Sequence, residues 1–327
     1  MNRRIAITIS TAAAAAAAAF TCSAFAQGYP NKPIKVVVPY AAGGNADITA
    51  RVVARKMSES LGQPLVIENR GGANGGIGTE AVAKAASDGY TLLITASGPI
   101  VINPVLYPKV GYDPQKDLIA ISQILTYQYA LVVPAASDIK TVPDLVSRAR
   151  AKPNEVAYGS AGIGAGGHLA GEMMAIMTGT KLTHVPYKGN APALADLIGG
   201  VLPMTFDTVV TAVPHIKGGG LRPLAVSGPR RASALPQVPT MQELGFKGFD
   251  ITQFVGLFAP AGTDPAIVKR LQEEVVKAVR SPEVVARLET EGGNDLVADT
   301  SVEFASTISK ELAMYKKLIN DAKIQPN

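Results

Sequence analysis

The fold of this chain is decided by the stretch Val36–Asp47, which reads VVVPYAAGGNAD. Its apolar start continues a run from Ile34 and is typical of a strand buried on both faces of a parallel sheet. Small residues follow, and a helical pattern begins near Asn45. A loop of small residues leaves the first N–H groups of the helix uncovered, and these groups, with the positive end of the helix dipole, attract anions. We predict that this stretch forms one half of a carboxylate-binding cleft.

The same order of strand, glycine-rich loop and helix occurs twice more. The loop Gly71–Gly78 follows a strand predicted at Leu65–Glu68, and the loop Ser160–Gly167 follows a strand predicted at Val156–Tyr158. This alternation predicts an α/β protein with parallel sheets and right-handed crossovers. Ligands of such proteins bind at the carboxyl ends of strands, so three loops with one layout favour an anion site over simple tight turns.

Capping signals mark several helix boundaries. Thr141 and Thr300 are each followed three positions later by an acidic residue, which predicts a capping box at each. After the first glycine loop, we expect either Asn45 or Asp47 to cap the helix that ends at Gly62.

The N-terminus has the layout of a secretory signal. A basic pair, Arg3 and Arg4, precedes an alanine-rich apolar run, and small residues occur at Ala24 and Ala26. We expect cleavage before Gln27 and export of the mature chain to the periplasm. A membrane anchor is the alternative, but the apolar run is shorter than the ~20 residues that a bilayer needs.

Cys22 is the single cysteine of the chain. Lipid attachment there is disfavoured because the preceding Phe20-Thr21 lacks the small residue that processing requires. Once the signal is removed no thiol remains, which excludes a disulfide and a cysteine-based metal site. The histidines form no H-x-x-x-H pair, so we expect no metal site; they are His168, His184 and His215.

Composition and length restrict the function and predict two lobes. The net charge of +5 is spread without a basic block, so we expect no nucleic-acid partner. About 300 residues usually form two domains. We expect the chain to cross between lobes after residue 128 and to return within the apolar run Gln253–Ala259, and the helical tail should pack on the first lobe. The expected units are a signal peptide at 1–26, lobe 1 at 27–128 plus 255–327, and lobe 2 at 129–254.

Two of the loops contain patterns found at dinucleotide sites. Gly162–Gly167 matches G-x-G-x-x-G, and Gly76–Ala81 matches the variant that ends in alanine. Each would need an acidic residue about 20 residues further on, at the end of the next strand. Neither Thr183–Lys188 nor Thr95–Val101 supplies one. We therefore expect no cofactor.

Three polar side chains near the predicted site have two interpretations each. Asp207, at the end of an apolar strand, could accept hydrogen bonds from a ligand amine or hydroxyl, or could cap the following helix. His168, at a helix start, could donate to an anion or could be a packing residue. Ser160 has a glycine beside it, not at the spacing of the G-x-S-x-G nucleophile elbow, which disfavours a hydrolase.

Many motifs in one order along the mature chain resemble the Bug receptors, the substrate-binding proteins of tripartite tricarboxylate transporters. The motifs are Tyr29-Pro-Asn-Lys-Pro-Ile, Val38-Pro-Tyr-Ala-Ala-Gly-Gly, Glu68-Asn-Arg with Gly71–Gly78, Asp88-Gly-Tyr-Thr-Leu-Leu, Tyr158-Gly-Ser, Val185-Pro-Tyr-Lys-Gly and Phe206-Asp207. In this chain Asn45-Ala46-Asp47 stands where the family more often has Gly-Thr-Asp. That difference adds a polar side chain to the predicted site.

The resemblance implies a periplasmic binding protein of the type II flytrap kind. Each lobe would be a βα sandwich around a central sheet, with two crossing strands between the lobes and closure onto a small carboxylate: a dicarboxylate, tricarboxylate, amino acid or aromatic acid. Loop amides, often with bridging waters, would hold the ligand. The implied ligand-binding residues are Tyr40, Ala41, Ala42, Gly43, Gly44, Asn45, Asn74, Ser97, Tyr127, Ser160, Ala161, Gly162, Gly164, His168 and Asp207.

We therefore predict a non-enzymatic solute receptor, monomeric and in transient contact with membrane transporter subunits. Two alternatives stay open at this point. One is an exported hydrolase-type enzyme that uses Ser160 or His168, and the other is a receptor that feeds a sensor kinase.

Overall fold

A computed structural model describes residues 28–321 and residue 325. The predicted signal peptide and its cleavage point lie outside the described residues. Within the described part of the chain, no helix is both long enough and apolar enough to cross a bilayer.

The polypeptide forms two sheets that share one long strand, which confirms the predicted α/β architecture with two lobes. In the first sheet, β1 pairs in parallel with β2 and β3. Strand β9 lies between β3 and β4 and pairs antiparallel with both. In the second, β5 pairs in parallel with β6 and β7, and β4 pairs antiparallel with β7 and β8. We call these lobe 1 and lobe 2. The strands are β1 Ile34–Val38, β2 Leu65–Asn69, β3 Thr91–Ala96, β4 Leu118–Pro134, β5 Ala157–Ser160, β6 Thr183–Pro186, β7 Met204–Thr208, β8 Leu221–Val226, β9 Thr252–Pro260 and β10 Asp295–Leu296.

Strand β4 is the first link between the lobes. Its residues up to Gln128 pair with β9 in lobe 1, and from Tyr129 onward they pair with β7 and β8 in lobe 2. The second link runs through Ile251, whose N–H donates to the Ser227 carbonyl. Pairing of β9 with β4 begins at Thr252, before the position 255 at which we expected the chain to return to lobe 1.

Helices cover both sheets, and a five-residue π-helical turn, Gly98–Ile102, follows β3. Both predicted capping boxes form: Thr141 with Asp144, and Thr300 with Glu303. The helices are α1 Asn45–Leu61, α2 Gly76–Ala83, α3 Asn103–Leu106, α4 Val142–Ala151, α5 Gly166–Thr178, α6 Asn190–Ile198, α7 Val209–Lys217, α8 Pro265–Val279, α9 Pro282–Val284 and α10 Ser301–Asp321.

The C-terminal helices α8 and α10 pack on lobe 1, as predicted. Phe304 of α10 is fully buried against Phe254 and Phe258 of β9, with ring centroids 5.1 Å from each. Aromatic burial of this kind stabilises by about 2–3 kcal/mol per side chain. The tail therefore fixes β9, the strand that begins at the hinge between the lobes.

Candidate functional site

A cavity lies between the lobes, at the carboxyl ends of the parallel strands. It is narrow: about 390 Å³ of space is free of atoms, open solvent at the mouth included, and only about 20 Å³ can hold the centre of a water-sized sphere. Parallel α/β sheets bind ligands in this position because the loops and helix N-termini that follow the strands meet there. The lining residues are Tyr40, Gly44, Asn45, Ala46, Asn74, Ala96, Gly98, Tyr127, Tyr129, Ala161, Ala165, Gly166, Asn190 and Gln253.

Six of the predicted site residues line this cavity: Tyr40, Gly44, Asn45, Asn74, Tyr127 and Ala161. They come from three separate loops and from the hinge strand β4. The other predicted residues lie around the cavity without forming its wall, and they are Ala41, Ala42, Gly43, Ser97, Ser160, Gly162, Gly164, His168 and Asp207. Ser97, for example, is fully buried and accepts the Phe254 N–H at 2.8 Å, so it fixes the start of β9.

The N-terminus of α1 faces the cavity without a side-chain cap. Gly44 is the N-cap residue, and the expectation that Asn45 or Asp47 caps this helix is wrong. Both residues already lie in the first helical turn, so neither occupies the extended position that a cap requires. Asp47 instead accepts the Gly43 N–H and the Arg51 guanidinium, both at 2.9 Å. Burial raises the pKa of Asp47, but these hydrogen bonds outweigh it and lower the pKa overall.

Asn45, which lines the cavity, has a side-chain donor without a partner. Its side chain is 3% exposed, and its Oδ1 has a long contact of 3.5 Å with the Thr49 hydroxyl. Its Nδ2 is buried and has no hydrogen-bond partner. An unsatisfied buried donor costs about 1–3 kcal/mol, and an acceptor that reaches Nδ2 would remove that cost.

The loop Ser160–Ala165 brings a second uncapped helix N-terminus, that of α5, to the opposite side of the cavity. Two side chains behind the loop hold its backbone. The Gly164 N–H donates to His168 Nδ1 at 3.0 Å, and the Gly162 N–H donates to Ser160 Oγ at 3.2 Å. His168 can accept only when Nδ1 carries no proton. Burial lowers the pKa of His168, which keeps this acceptor available.

Ser160 and His184 form a pair whose geometry is that of a nucleophile and its base, with 2.6 Å between Ser160 Oγ and His184 Nε2. Ser160, however, is 1% exposed and does not line the cavity. Burial and the stacked ring of His168, 4.0 Å away, lower the pKa of His184 to about 3. The pair therefore supports the loop from behind, where a ligand does not reach the serine.

Asp207 lies behind the wall of the cavity, covered by Asn190. Asn190 Nδ2 donates to Asp207 Oδ1 at 2.9 Å, and the Thr211 hydroxyl donates to Oδ2 at 2.6 Å. Burial raises the pKa of Asp207 to about 6, although these hydrogen bonds oppose the effect. Asp207 thus orients Asn190, and Asn190 is the side chain that lines the cavity.

Sequence reasoning did not select two lining side chains that have polar groups: Asn190 and Gln253. The Gln253 side chain is 2% exposed and is held by tyrosine hydroxyls of β4. No local motif marks these residues. Only the pairing of β4 with β9, and the position of α6, bring them to the cavity.

The cavity is electrically neutral but rich in donors. None of its lining residues is lysine, arginine, aspartate or glutamate. Burial raises the pKa of Tyr40, Tyr127 and Tyr129 above the usual value, so the phenols stay protonated. Amides, hydroxyls and the uncapped N-termini of α1, α5 and α6 remain, and this set suits an anion.

The lobes touch on both sides of the cavity. The Ala41 N–H of lobe 1 donates to the Lys188 carbonyl of lobe 2 at 3.2 Å, and the Tyr107 hydroxyl donates to the Ile163 carbonyl at 3.3 Å. The structure therefore shows the lobes closed upon each other.

Three solved structures are similar to this one. Periplasmic binding protein BugD is 30% identical in sequence, with a TM-score of 0.88 over 91% of this chain and 100% of BugD. Rpa4515 of R. palustris, solved with adipate, is 35% identical, with a TM-score of 0.88 over 91% of this chain and 100% of that chain. MatC from Rhodopseudomonas palustris, solved with bound malate, is 30% identical, with a TM-score of 0.85 over 89% of this chain and 100% of MatC.

The sequence profile described as "Tripartite tricarboxylate transporter family receptor" matches residues 49–324. The matched range contains the motif at Tyr158–Ser160, and the motif at Val38–Gly44 lies just before it. The chain belongs to the Bug family of tripartite tricarboxylate transporter receptors, which are periplasmic solute-binding proteins and not enzymes.

Proposed function

We propose that this receptor captures an aliphatic dicarboxylate of the size of malate or adipate. The observation that carries the proposal is the free Nδ2 of Asn45, buried in the cavity at the uncapped N-terminus of α1. A donor in this position suits one carboxylate of the ligand. The uncapped N-terminus of α5 faces the same cavity from lobe 2, so closure adds a second set of backbone donors.

The neutrality of the cavity also favours a dicarboxylate over an amino acid. A free ammonium group would need a carboxylate in the wall, and the wall has none; Asp207, which lies behind it, is covered by Asn190. The relatives Rpa4515 and MatC, solved with adipate and malate, support the same ligand class.

The energetics are consistent with micromolar capture. A dissociation constant of 1 μM corresponds to about −8 kcal/mol. Hydrogen bonds to a charged group contribute about 1.5–3 kcal/mol each, and a helix N-terminus adds up to ~2 kcal/mol in a partly buried site. A few such donors around Asn45, with burial of the methylene chain against Tyr127, therefore offset the cost of association.

In the cell we propose a monomer that is exported after cleavage before Gln27 and delivers its ligand transiently to membrane transporter subunits. No nucleic acid takes part, since neither the cavity nor the sequence offers a basic surface. Delivery to a sensor kinase is a different outcome of the same binding event. If deletion of the gene abolishes uptake of the ligand, the transporter role is supported. If uptake stays normal but gene induction by the ligand is lost, the transporter role is contradicted.

Isothermal titration calorimetry on refolded residues 27–327 tests the ligand class. We expect malate, succinate or adipate to bind with micromolar affinity, and glutamate and citrate to bind at least tenfold more weakly. Tightest binding of an amino acid or a tricarboxylate would contradict the proposal.

A further inference from the structure

We infer that the Gln253 side-chain amide, oriented by Tyr127 and Tyr129, binds the second carboxylate of the ligand and so selects dicarboxylates over monocarboxylates. This inference rests on the proposed function, because it assigns the other end of the same ligand.

Strand register brings the three side chains together. Gln253 of β9 lies directly opposite Tyr127 of β4 in the antiparallel pairing, so their side chains project from the same face of the sheet. Tyr129 follows Tyr127 by two positions and therefore shares that face. All three residues line the cavity. The cluster lies at the hinge, where β4 passes from one sheet to the other.

Hydrogen bonds fix the orientation of the amide. Gln253 Oε1 accepts from the Tyr129 hydroxyl at 2.6 Å and from the Tyr127 hydroxyl at 3.0 Å. Burial raises the pKa of both phenols, so both keep the proton that they donate. The Tyr315 hydroxyl also lies against this amide, and it donates to the Thr252 carbonyl at 3.4 Å. With its oxygen engaged twice, the amide cannot rotate without breaking two buried hydrogen bonds.

The nitrogen of the same amide lies beside the Tyr315 hydroxyl but has no acceptor within hydrogen-bond distance. Gln253 Nε2 is buried and has no hydrogen-bond partner, although its residue lines the cavity. Of the lining residues, only Asn45 and Gln253 have a buried side-chain nitrogen without a partner. Asn45 belongs to a helix N-terminus of lobe 1, and Gln253 belongs to the hinge strand. Two separate donors suit a ligand with an acceptor at each end.

Selectivity for dicarboxylates follows from the free-energy cost of a buried donor that has no acceptor. A dicarboxylate gives Gln253 Nε2 a charged acceptor, whereas a monocarboxylate of equal length leaves the amide facing a methyl group. A site that hydrogen-bonds one ligand group disfavours the analogue that lacks it, because its buried polar group stays unpaired. We expect adipate to bind at least roughly tenfold more tightly than hexanoate.

Calorimetric titration with adipate and hexanoate tests the inference on the wild-type protein and on two variants of Gln253. Gln253→Met removes the amide and keeps the length of the side chain. Gln253→Glu keeps oxygens that can accept from both tyrosines and removes the N–H donor. It replaces Gln253→Met in the test if the methionine variant does not fold. Thermal melting reports the fold of each variant.

The expected result is a change in the ratio of the two affinities. Each variant should lower adipate affinity at least tenfold and hexanoate affinity no more than about threefold. Equal losses for both acids, or an unchanged preference for adipate, would overturn the role of Gln253 while leaving the dicarboxylate proposal intact. A wild-type protein that binds no dicarboxylate would overturn both.

Discussion

At the scale of single residues, the proposed site binds an anion without using a cation. Asn45 and Gln253 supply side-chain donors, and uncapped helices supply backbone donors. Neutral donors that are already oriented bind a carboxylate without the cost of burying a lysine or an arginine. Their number and position, not their charge, then decide which acid fits.

Asn45→Asp is the sharpest test of the donor in lobe 1. The substitution keeps the shape of the side chain but replaces a donor by a carboxylate, so adipate affinity should fall more than tenfold in calorimetry. A carboxylate in the first helical turn interacts favourably with the dipole, by about 0.3–1 kcal/mol, which limits any loss of stability. The matched control is Asn154→Asp at an exposed position. Unchanged adipate affinity in Asn45→Asp would contradict the assignment.

Asp207 gives a pH dependence of stability. Its pKa is raised by burial from 3.8 to about 6, so folding disfavours the charged form. This penalty is absent below about pH 4, grows between pH 4 and pH 6, and is complete above pH 6. At about 1.4 kcal/mol for each pH unit by which a pKa moves, it reaches roughly 3 kcal/mol at pH 7.

Asp207→Asn removes that titration. The free energy of unfolding of the variant, relative to wild type, should therefore rise by roughly 2–3 kcal/mol from pH 4 to pH 7. Urea denaturation at the two pH values measures it. A difference between variant and wild type that does not change with pH would show that Asp207 titrates at its ordinary pKa.

At the scale of elements, helix α5 joins lobe 2 to the tyrosines of the hinge. A side-chain carbon on Gly166, its first residue, would lie 2.3 Å from the Tyr129 hydroxyl and 2.6 Å from its ring. Gly179, the residue that ends the same helix, has φ of +63° and no heavy atom within 4 Å of such a carbon. The two glycines thus allow a comparison within one helix.

Gly166→Ala should displace Tyr129 and with it Gln253, so we expect a loss of adipate affinity of about tenfold or more. Gly179→Ala should cost about 1 kcal/mol of stability through its left-handed backbone but leave affinity unchanged. Calorimetry and thermal melting on both variants separate the two effects. Similar affinities for the two variants would contradict the proposed contact between α5 and the ligand site.

The sequence predicts the elements better than it predicts the site. The apolar run Ile34–Val38 and the capping boxes are local signals, and the structure contains the strand and helices that they indicate. The predicted cap at Asn45 is wrong because glycine at position 44 takes the extended cap position, and this choice depends on the loop geometry. Gln253 could not be selected, since its role depends on pairing with Tyr127, 126 positions earlier.

At the scale of the whole molecule, closure joins the two halves of the site. Lobe 1 offers the uncapped N-terminus of α1 to the cavity and lobe 2 offers those of α5 and α6, and the contact between Ala41 and Lys188 brings the halves together. A ligand that contacts both lobes binds the closed form more tightly than the open form. It shifts the population toward the closed form in proportion to that difference in affinity.

The closed form can be tested with a disulfide between the lobes. A side-chain carbon built on Gly43 lies 3.6 Å from Cβ of Ala191, within the 3.5–4.5 Å range of disulfides. Gly43→Cys with Ala191→Cys should form this bond on oxidation, even though the left-handed backbone at position 43 costs about 1–2 kcal/mol. Residues 27–327 contain no natural cysteine, so thiol titration of this segment with the two substitutions counts the bond directly. Two free thiols after oxidation would contradict a closed form with this geometry.

Retention of radiolabelled adipate by this double-cysteine protein tests the central claim, that the lobes close on a dicarboxylate. If adipate is added before oxidation, we predict that it co-elutes with the protein in gel filtration, about one per chain, and is released by dithiothreitol. If oxidation comes first, adipate added afterwards should elute free. Equal retention in both orders of addition, or no retention in either, would contradict a ligand site enclosed between the lobes.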